Sequence, residues 1–105
     1  MDAAGAKRFV SAVREISPTT LINSRVLFDG NKVTGLSKEK RHLLHELDLD
    51  FLSYADREIP PVSYWPYWET CMTLNESWGF TTHDNKWKSA PRVIQQLVEV
   101  VSKGG

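Results

Sequence analysis

Residues 68–74, Trp-Glu-Thr-Cys-Met-Thr-Leu, are the stretch that most clearly indicates the fold. Aromatic, β-branched and apolar side chains follow one another there with a single charge, as is typical of a strand in a parallel sheet. Downstream, Ser89 is a suitable N-cap, and apolar residues recur at helical spacing over residues 93–101. Lys103 and two glycines then predict the end of a helix.

The same alternation is found upstream of this strand. Apolar spacing predicts a helix over residues 7–16, which Pro18 ends because proline disfavours the α conformation in the residue before it. Residues 19–23 predict a buried strand, and residues 51–54 a brief one. Between them, residues 37–47 predict a short helix, with Ser37 as its N-cap and three leucines as its apolar stripe.

This rhythm predicts an α/β protein with a parallel sheet. The elements are too few for a closed (β/α)₈ barrel, which needs about 250 residues. We therefore expect a part of a larger barrel or open sheet, with strand edges and helix faces left uncovered. Such edges pair readily with another chain, so a homo-oligomer is predicted.

Composition excludes several classes of function. The 105 residues carry 13 basic and 13 acidic side chains, and the main basic cluster, residues 38–41, is interrupted by an acid, so nucleic acid is not an expected partner. Cys71 is the single cysteine and can form neither an internal disulfide nor a thiolate metal site. Residues 1–6 lack the apolar core of a signal peptide or membrane span. A soluble chain without metal, other cofactor or membrane partner is predicted, and its compartment is left open.

The three histidines do not change this expectation. His42 and His45 lie three residues apart on a predicted helix, but no third ligand is placed to complete a metal site. We expect both on the surface, and His83 in a solvated loop.

Aromatic residues are concentrated in one part of the chain. Six of the seven Trp and Tyr residues fall between positions 54 and 78. Core packing is one interpretation, since each large ring buries about 150–250 Å². A sugar site is the other, because the C–H face of a pyranose packs well on indole and phenol rings.

Residues 68–80, W-E-T-C-M-T-L-N-E-S-W-G-F, resemble the pattern W-E-[TN]-C-M-T-[ILM]-[ND]-x-[ST]-W-G-[YF] of the α-L-fucosidases of glycoside hydrolase family 29. Three further stretches agree in the same order. Residues 21–25 resemble L-[IV]-N-x-R, and residues 56–60 resemble D-[RN]-x-x-P. Residues 87–89 together with residues 97–105 resemble the family's helix that ends in V-S-[KC]-G-G. The resemblance spans most of the chain, and residues 28–49 are interpreted as an insertion specific to this branch.

The resemblance implies a (β/α)₈-like catalytic domain, of which this chain would be roughly the second half without the nucleophile strand and the final strand. It also implies a retaining release of terminal L-fucose from glycans or aryl fucosides. That mechanism needs two carboxyl groups, one as nucleophile and one as general acid and then base. In the family, the nucleophile is an aspartate upstream of the stretch that residues 21–25 resemble. We therefore expect it to be missing, and the isolated chain to have weak or no activity.

Three carboxylates are candidates for the second role. Asp56 matches the acidic position of the D-[RN]-x-x-P loop, which serves as general acid/base in related members, although an aspartate there could also cap a turn. Glu69 and Glu58 remain alternatives, because other branches take this group from a differently spaced loop. Glu69 could equally be a buried carboxylate that holds a loop by hydrogen bonds.

Substrate contacts are implied by the same resemblance. Arg25 matches the arginine that reaches the sugar, with a strand-end ion pair as its structural alternative. Trp78 matches the aromatic residue that packs against the apolar face and C5 methyl group of fucose. Trp68 would shape the aglycone side or fill the barrel. A non-catalytic module that binds fucose through Arg25 and Trp78, or a self-associating barrel fragment, is the alternative function.

Overall fold

The computed structural model describes residues 1–27 and 38–105. Ser37 and the first part of the predicted insertion therefore lie outside the described residues. The described parts contain three α-helices, two short strands and a 3₁₀ helix. In chain order these are α1 (Ala3–Ile16), the 3₁₀ helix (Ser24–Val26), α2 (Lys38–Glu46), β1 (Leu52–Ser53), β2 (Trp68–Glu69) and α3 (Ala90–Ser102).

The two strands pair in parallel, with Leu52 opposite Trp68 and Ser53 opposite Glu69. A third segment joins them through a single parallel bridge between Asn23 and Phe51. The predicted parallel arrangement is confirmed. It brings the residues that follow these three segments to the same edge, because parallel strands end on the same side of a sheet.

The predicted strand over residues 19–23 is wrong except at its last residue. Thr20 donates its backbone N–H to the carbonyl of Ser17 at 3.2 Å, which uses this part of the chain for a turn. The strand predicted over residues 68–74 is likewise shorter than expected. The backbone turns after β1, where Glu58 N–H binds the carbonyl of Ala55 at 3.1 Å, so β2 loses its pairing partner beyond Glu69.

Side chains from α1, α2 and the sheet form one small core. Helix α1 contributes Ala6 and Val10, whereas Phe9, which the sequence placed in the apolar stripe, is exposed. The helical spacing of the apolar residues was therefore predicted correctly, but fewer of them are buried than the stripe predicted. The buried apolar residues are Ala6, Val10, Ile22, Leu44, Leu47, Leu49, Leu52, Tyr54 and Trp68.

Helix α3 begins and ends as predicted. Ser89 caps it by accepting the backbone N–H of Arg92, and Pro91 occupies the first turn. At the other end, Gly104 has a φ of 83° and donates to the carbonyl of Val101, while Gly105 donates to that of Val100. These two bonds form a Schellman motif, which requires the left-handed conformation that glycine adopts without strain.

The apolar stripe of α3 is open to solvent. The helix has no buried residue, and the side chains of its stripe are 60–62% exposed: Ile94, Leu97, Val98 and Val101. An amphipathic helix normally covers such a stripe against another element. The described residues therefore leave one large apolar face uncovered.

Asp50 connects α1 to the start of the sheet. Its Oδ2 accepts the backbone N–H of Ile22 at 2.7 Å and Nη2 of Arg14 at 2.6 Å. The Ile22 N–H, followed by the Arg14 guanidinium, lowers the pKa of this carboxyl below its ordinary value. The contribution of Asp50 to folding is therefore present above the unfolded pKa of about 3.9 and is lost as pH falls through the lower folded pKa.

We predict that Asp50→Asn lowers the free energy of unfolding at pH 7 by about 1 kcal/mol, because a 29% exposed carboxylate is partly screened by water. The difference from wild type should shrink at pH 3, because pH 3 lies below the unfolded pKa of about 3.9 and proton uptake by the unfolded wild-type chain then offsets part of the contribution of the carboxylate. Urea unfolding at both pH values measures this. Asp48→Asn is the matched control, since the left-handed φ of 50° at Asp48 is also accessible to Asn. If Asp50→Asn lowers the free energy of unfolding equally at both pH values, the stabilising role assigned to the Asp50 carboxylate is wrong.

Candidate active site

Arg25 lies at the edge where the three parallel segments end. Its Nε donates to Oγ of Ser53 at 2.8 Å, and its Nη2 lies 3.2 Å from Oδ1 of Asp56. The same Nη2 is 3.4 Å from Sγ of Cys71. One guanidinium therefore contacts the end of β1, the loop after it and the segment after β2. The hydrogen bond to Asp56 raises the pKa of Arg25 above its ordinary value, although burial opposes this.

The backbone around Arg25 is fixed by short polar side chains. The Asn23 side-chain oxygen accepts the Arg25 backbone N–H at 3.0 Å and so caps the 3₁₀ helix. Ser24 is fully buried, and its Oγ accepts the backbone N–H of Ser53 at 2.9 Å. These bonds hold the 3₁₀ helix against β1 and direct the Arg25 side chain along the sheet edge.

Ser24 and Ser53 are site residues that the sequence reasoning missed. Both are small polar residues at the end of a predicted strand, and Ser24 directly precedes a charged residue. That position was the available signal, but a serine alone does not distinguish a support for an arginine from an ordinary strand end.

The three predicted carboxylates occupy different environments. Asp56 is exposed and pairs with Arg25. Glu69 is exposed on β2, and its Oε1 accepts a hydrogen bond from the Asn23 amide at 3.3 Å. Glu58 is half-buried in the loop, and its backbone carbonyl accepts a hydrogen bond from the Thr70 hydroxyl. Of the predicted set, the structure thus brings Arg25 and Asp56 into direct contact and places Glu69 beside a neutral amide.

Trp78 lies in the loop after β2 and is 56% exposed. The guanidinium of Arg57 stands over its ring, with Cζ 5.3 Å from the ring centroid. The loop itself is held by Ser77, whose Oγ donates to Oδ2 of Asp84 at 2.7 Å. This hydrogen bond lowers the pKa of the Asp84 carboxyl.

Some of the Trp and Tyr residues between positions 54 and 78 pack in the core, and others are exposed. Trp68 is 5% exposed, meets Tyr54 edge to face at 5.3 Å, and donates its indole N–H to the carbonyl of Lys103 at 3.0 Å. Its predicted contact with the aglycone stays a prediction, and its observed role is in the core. Trp65 packs against His45 of α2, with the ring centroids 4.5 Å apart and the ring planes tilted by 35°. Tyr64, Tyr67 and Trp78 are exposed.

The remaining candidates from the sequence lie as follows. His42 is exposed and 3.4 Å from Glu46, and His83 is exposed in its loop. Cys71 is half-buried beside Arg25. Within residues 1–27 and 38–105, the acidic, histidine and cysteine side chains form no group of three that could hold a metal ion. None of the helices described is long and apolar enough to span a membrane.

Comparisons with known proteins agree with the resemblance in the sequence. The sequence model of the family described as Alpha-L-fucosidase matches residues 4–105. The chain belongs to the α-L-fucosidase family. It is similar to the solved structure of α-L-fucosidase isoenzyme 1 from Paenibacillus thiaminolyticus, with a TM-score of 0.67 and 33% identity over 95% of this chain. A search of curated proteins gave no match.

This fucosidase-family chain spans 23% of the length of that solved structure. The similarity therefore concerns a part of the relative's fold. The predicted family is confirmed, and with it the broad assignment to the glycoside hydrolases.

We predict that the Arg25–Asp56 pair adds little to stability, because both side chains are about half exposed. A double-mutant cycle with Arg25→Gln and Asp56→Asn should give a coupling energy below about 1 kcal/mol in urea unfolding. A coupling of several kcal/mol would instead make the pair a structural ion pair, the alternative interpretation of Arg25.

Proposed function

We propose that this chain forms part of the catalytic domain of an α-L-fucosidase that releases terminal L-fucose with retention of configuration. The observation that carries the proposal is the contact between Arg25 and Asp56 at 3.2 Å. These are the two residues to which the family resemblance assigns sugar binding and proton transfer. They come from separate segments of the chain and meet at the edge where the parallel segments end.

A partial (β/α)₈ barrel is the architecture we propose for the chain. The parallel pairing of β1 with β2 and the parallel bridge to Asn23 support it. In such barrels, the functional residues follow the carboxyl ends of the strands, which is where Arg25 and Asp56 lie. The open apolar face of α3 also fits a helix that the remainder of a barrel would cover.

In the proposed reaction, an aspartate from outside these 105 residues attacks the anomeric carbon. Asp56 gives a proton to the departing oxygen and then takes one from the water that hydrolyses the glycosyl-enzyme. Arg25, held by Ser53, donates hydrogen bonds to a sugar hydroxyl. Without the nucleophile the covalent step is absent, so we expect weak or no turnover from the isolated chain.

Asp56 and Glu69, two candidates for the general acid/base, have different neighbours. A general acid must begin the reaction protonated. Asp56 faces the cation Arg25, with Nη2 3.2 Å from Oδ1. Glu69 faces the uncharged amide of Asn23. Glu69 therefore stays the competing candidate, and the two are separated by experiment.

We predict that, in the protein encoded by the whole reading frame that contains this sequence, Asp56→Asn lowers kcat/KM for a fucosylated glycan by roughly 10²–10⁴-fold. A smaller loss is expected for an aryl α-L-fucoside with an acidic phenol, which leaves without protonation. With that aryl fucoside, azide should raise kcat, because it attacks the glycosyl-enzyme in place of water without needing a general base and releases a fucosyl azide. Glu69→Gln and Glu58→Gln test the two alternative carboxylates in the same assays.

If Asp56→Asn retains the wild-type rate while Glu69→Gln shows this leaving-group pattern, the acid/base belongs to Glu69. If Asp56→Asn, Glu69→Gln and Arg25→Gln all retain the wild-type rate, the proposed site is wrong. A reading frame without fucosidase activity would contradict the proposed function itself.

The open face of α3 favours a second candidate, a non-catalytic module that self-associates or binds fucose. We predict that the 105-residue chain forms homo-oligomers, because the exposed stripe is large and apolar. Size-exclusion chromatography with light scattering measures this, with Leu97→Lys as a variant that should shift the chain toward monomer. A wild-type monomer at tens of micromolar would contradict the prediction. Calorimetric titration with fucose separately tests the binding module.

A further inference from the structure

Arg57 has an unusual backbone conformation for its residue type. Its φ is 63°, in the left-handed region that a residue with a Cβ seldom occupies. Its backbone N–H donates to the carbonyl of Cys71 at 2.8 Å, which fixes the loop after β1 to the segment after β2. Strained backbone of this kind persists where surrounding contacts determine it, and it is found at functional sites.

The side chain of Arg57 holds a second segment. Its Nη2 donates to the backbone carbonyl of Glu76 at 2.6 Å, and its Cζ lies 5.3 Å from the centroid of the Trp78 ring. A guanidinium suits both contacts, because its plane can stack on an indole while its edge donates hydrogen bonds. Arg57 thus contacts the Trp78 ring and the peptide just before Ser77 at the same time.

The backbone at Arg57 also separates two neighbouring side chains. Asp56 reaches Arg25, whereas Arg57 reaches Glu76 and Trp78. Two adjacent residues of one loop therefore serve the two halves of the proposed site. A shift of this loop would move both halves together.

We propose that Arg57 is a positioning residue that covers one face of the Trp78 indole and leaves the opposite face as the platform for the apolar face of a pyranose. The inference rests on the proposed function, because the platform has a use only if a sugar binds there. Trp78 remains 56% exposed with the guanidinium in place, so ring surface is available for such a contact. With one face covered, a sugar stacks from one side only, which selects one orientation of the substrate.

The first test follows the Trp78 ring without any sugar. In a ¹H–¹⁵N spectrum of the 105-residue chain, the indole signal of Trp78 is assigned by its loss in Trp78→Phe. Arg57→Asn removes the guanidinium but keeps a residue that tolerates positive φ, and it should shift or broaden the Trp78 signal while those of Trp65 and Trp68 stay in place. Arg57→Lys retains the charge and should give a smaller shift.

The matched control is Arg41→Lys, because Arg41 stands over the ring of Tyr64 at 5.4 Å, away from Trp78. It should leave the Trp78 signal unchanged. An unmoved Trp78 signal in Arg57→Asn would overturn the proposal, whatever the outcome of sugar binding.

The second test titrates methyl α-L-fucoside against the same variants. Arg57→Asn should weaken binding by roughly 3- to 5-fold, in the range of an exposed cation–π contact, while Arg41→Lys binds as wild type. A shifted indole with unchanged fucoside affinity would overturn the sugar-platform role. Absence of affinity in the wild-type chain would also overturn the sugar-platform role, whereas the proposed function is tested separately by the activity of the whole reading frame, and the indole spectrum alone would then decide whether Arg57 positions Trp78.

Discussion

The indole of Trp68 joins the sheet to the end of the last helix, and the site depends on that contact. Its N–H binds the carbonyl of Lys103 at 3.0 Å, and its ring lies against Gly105 so closely that a Cβ there would come within 2.6 Å of the ring carbons. The other side of the ring meets Tyr54, which follows β1. Helix α3 has no fully buried residue, and the bond from Trp68 to Lys103 adds to the contacts that Val100 makes with the core and Gln96 makes with Met72.

The same residue sets the position of β2. Glu69 follows Trp68 directly and pairs through its carbonyl with the backbone N–H of Tyr54 at 2.9 Å. Two residues further on, Cys71 accepts the N–H of Arg57 and lies beside Arg25. The geometry of the candidate site therefore depends on where β2 is held, because Arg25 and Arg57 both contact Cys71.

The sequence was most informative where a local signal and the fold agree. The caps of α3 were predicted correctly, because capping depends on a short local pattern. The family was predicted from motifs that are equally short. Strand length was not predicted, because it depends on the neighbouring strand with which the residues pair. Residues 19–23 have a strand composition, yet a turn closed by Ser17 takes up half of them. Residues 70–74 lie beyond the two residue pairs that join β1 to β2, since the chain after β1 turns at Ala55–Glu58.

For the candidate site, too, local motifs were predictive and contacts between distant segments were not predicted. Arg25, Asp56 and Trp78 were predicted from motifs, and the structure brings the first two together. Ser53 and Arg57 were missed, because their roles arise from contacts between segments far apart in sequence. Trp68 is the first residue of the longest motif, residues 68–80, and its observed position is in the core. A motif marks a residue as characteristic of a family, but it does not distinguish a group that touches substrate from one that holds the scaffold.

Native-state hydrogen exchange in Trp68→Phe tests the dependence of the site on this contact most directly. Phe keeps an aromatic ring but cannot donate to Lys103. If the contact holds β2 in place, the amides of Leu52, Tyr54 and Arg57, which bind carbonyls of Tyr67, Glu69 and Cys71, should all exchange faster than in wild type. The Ser24 amide, which binds Phe51 instead, should change least. Wild-type protection at Tyr54 and Arg57 in the variant would contradict the account.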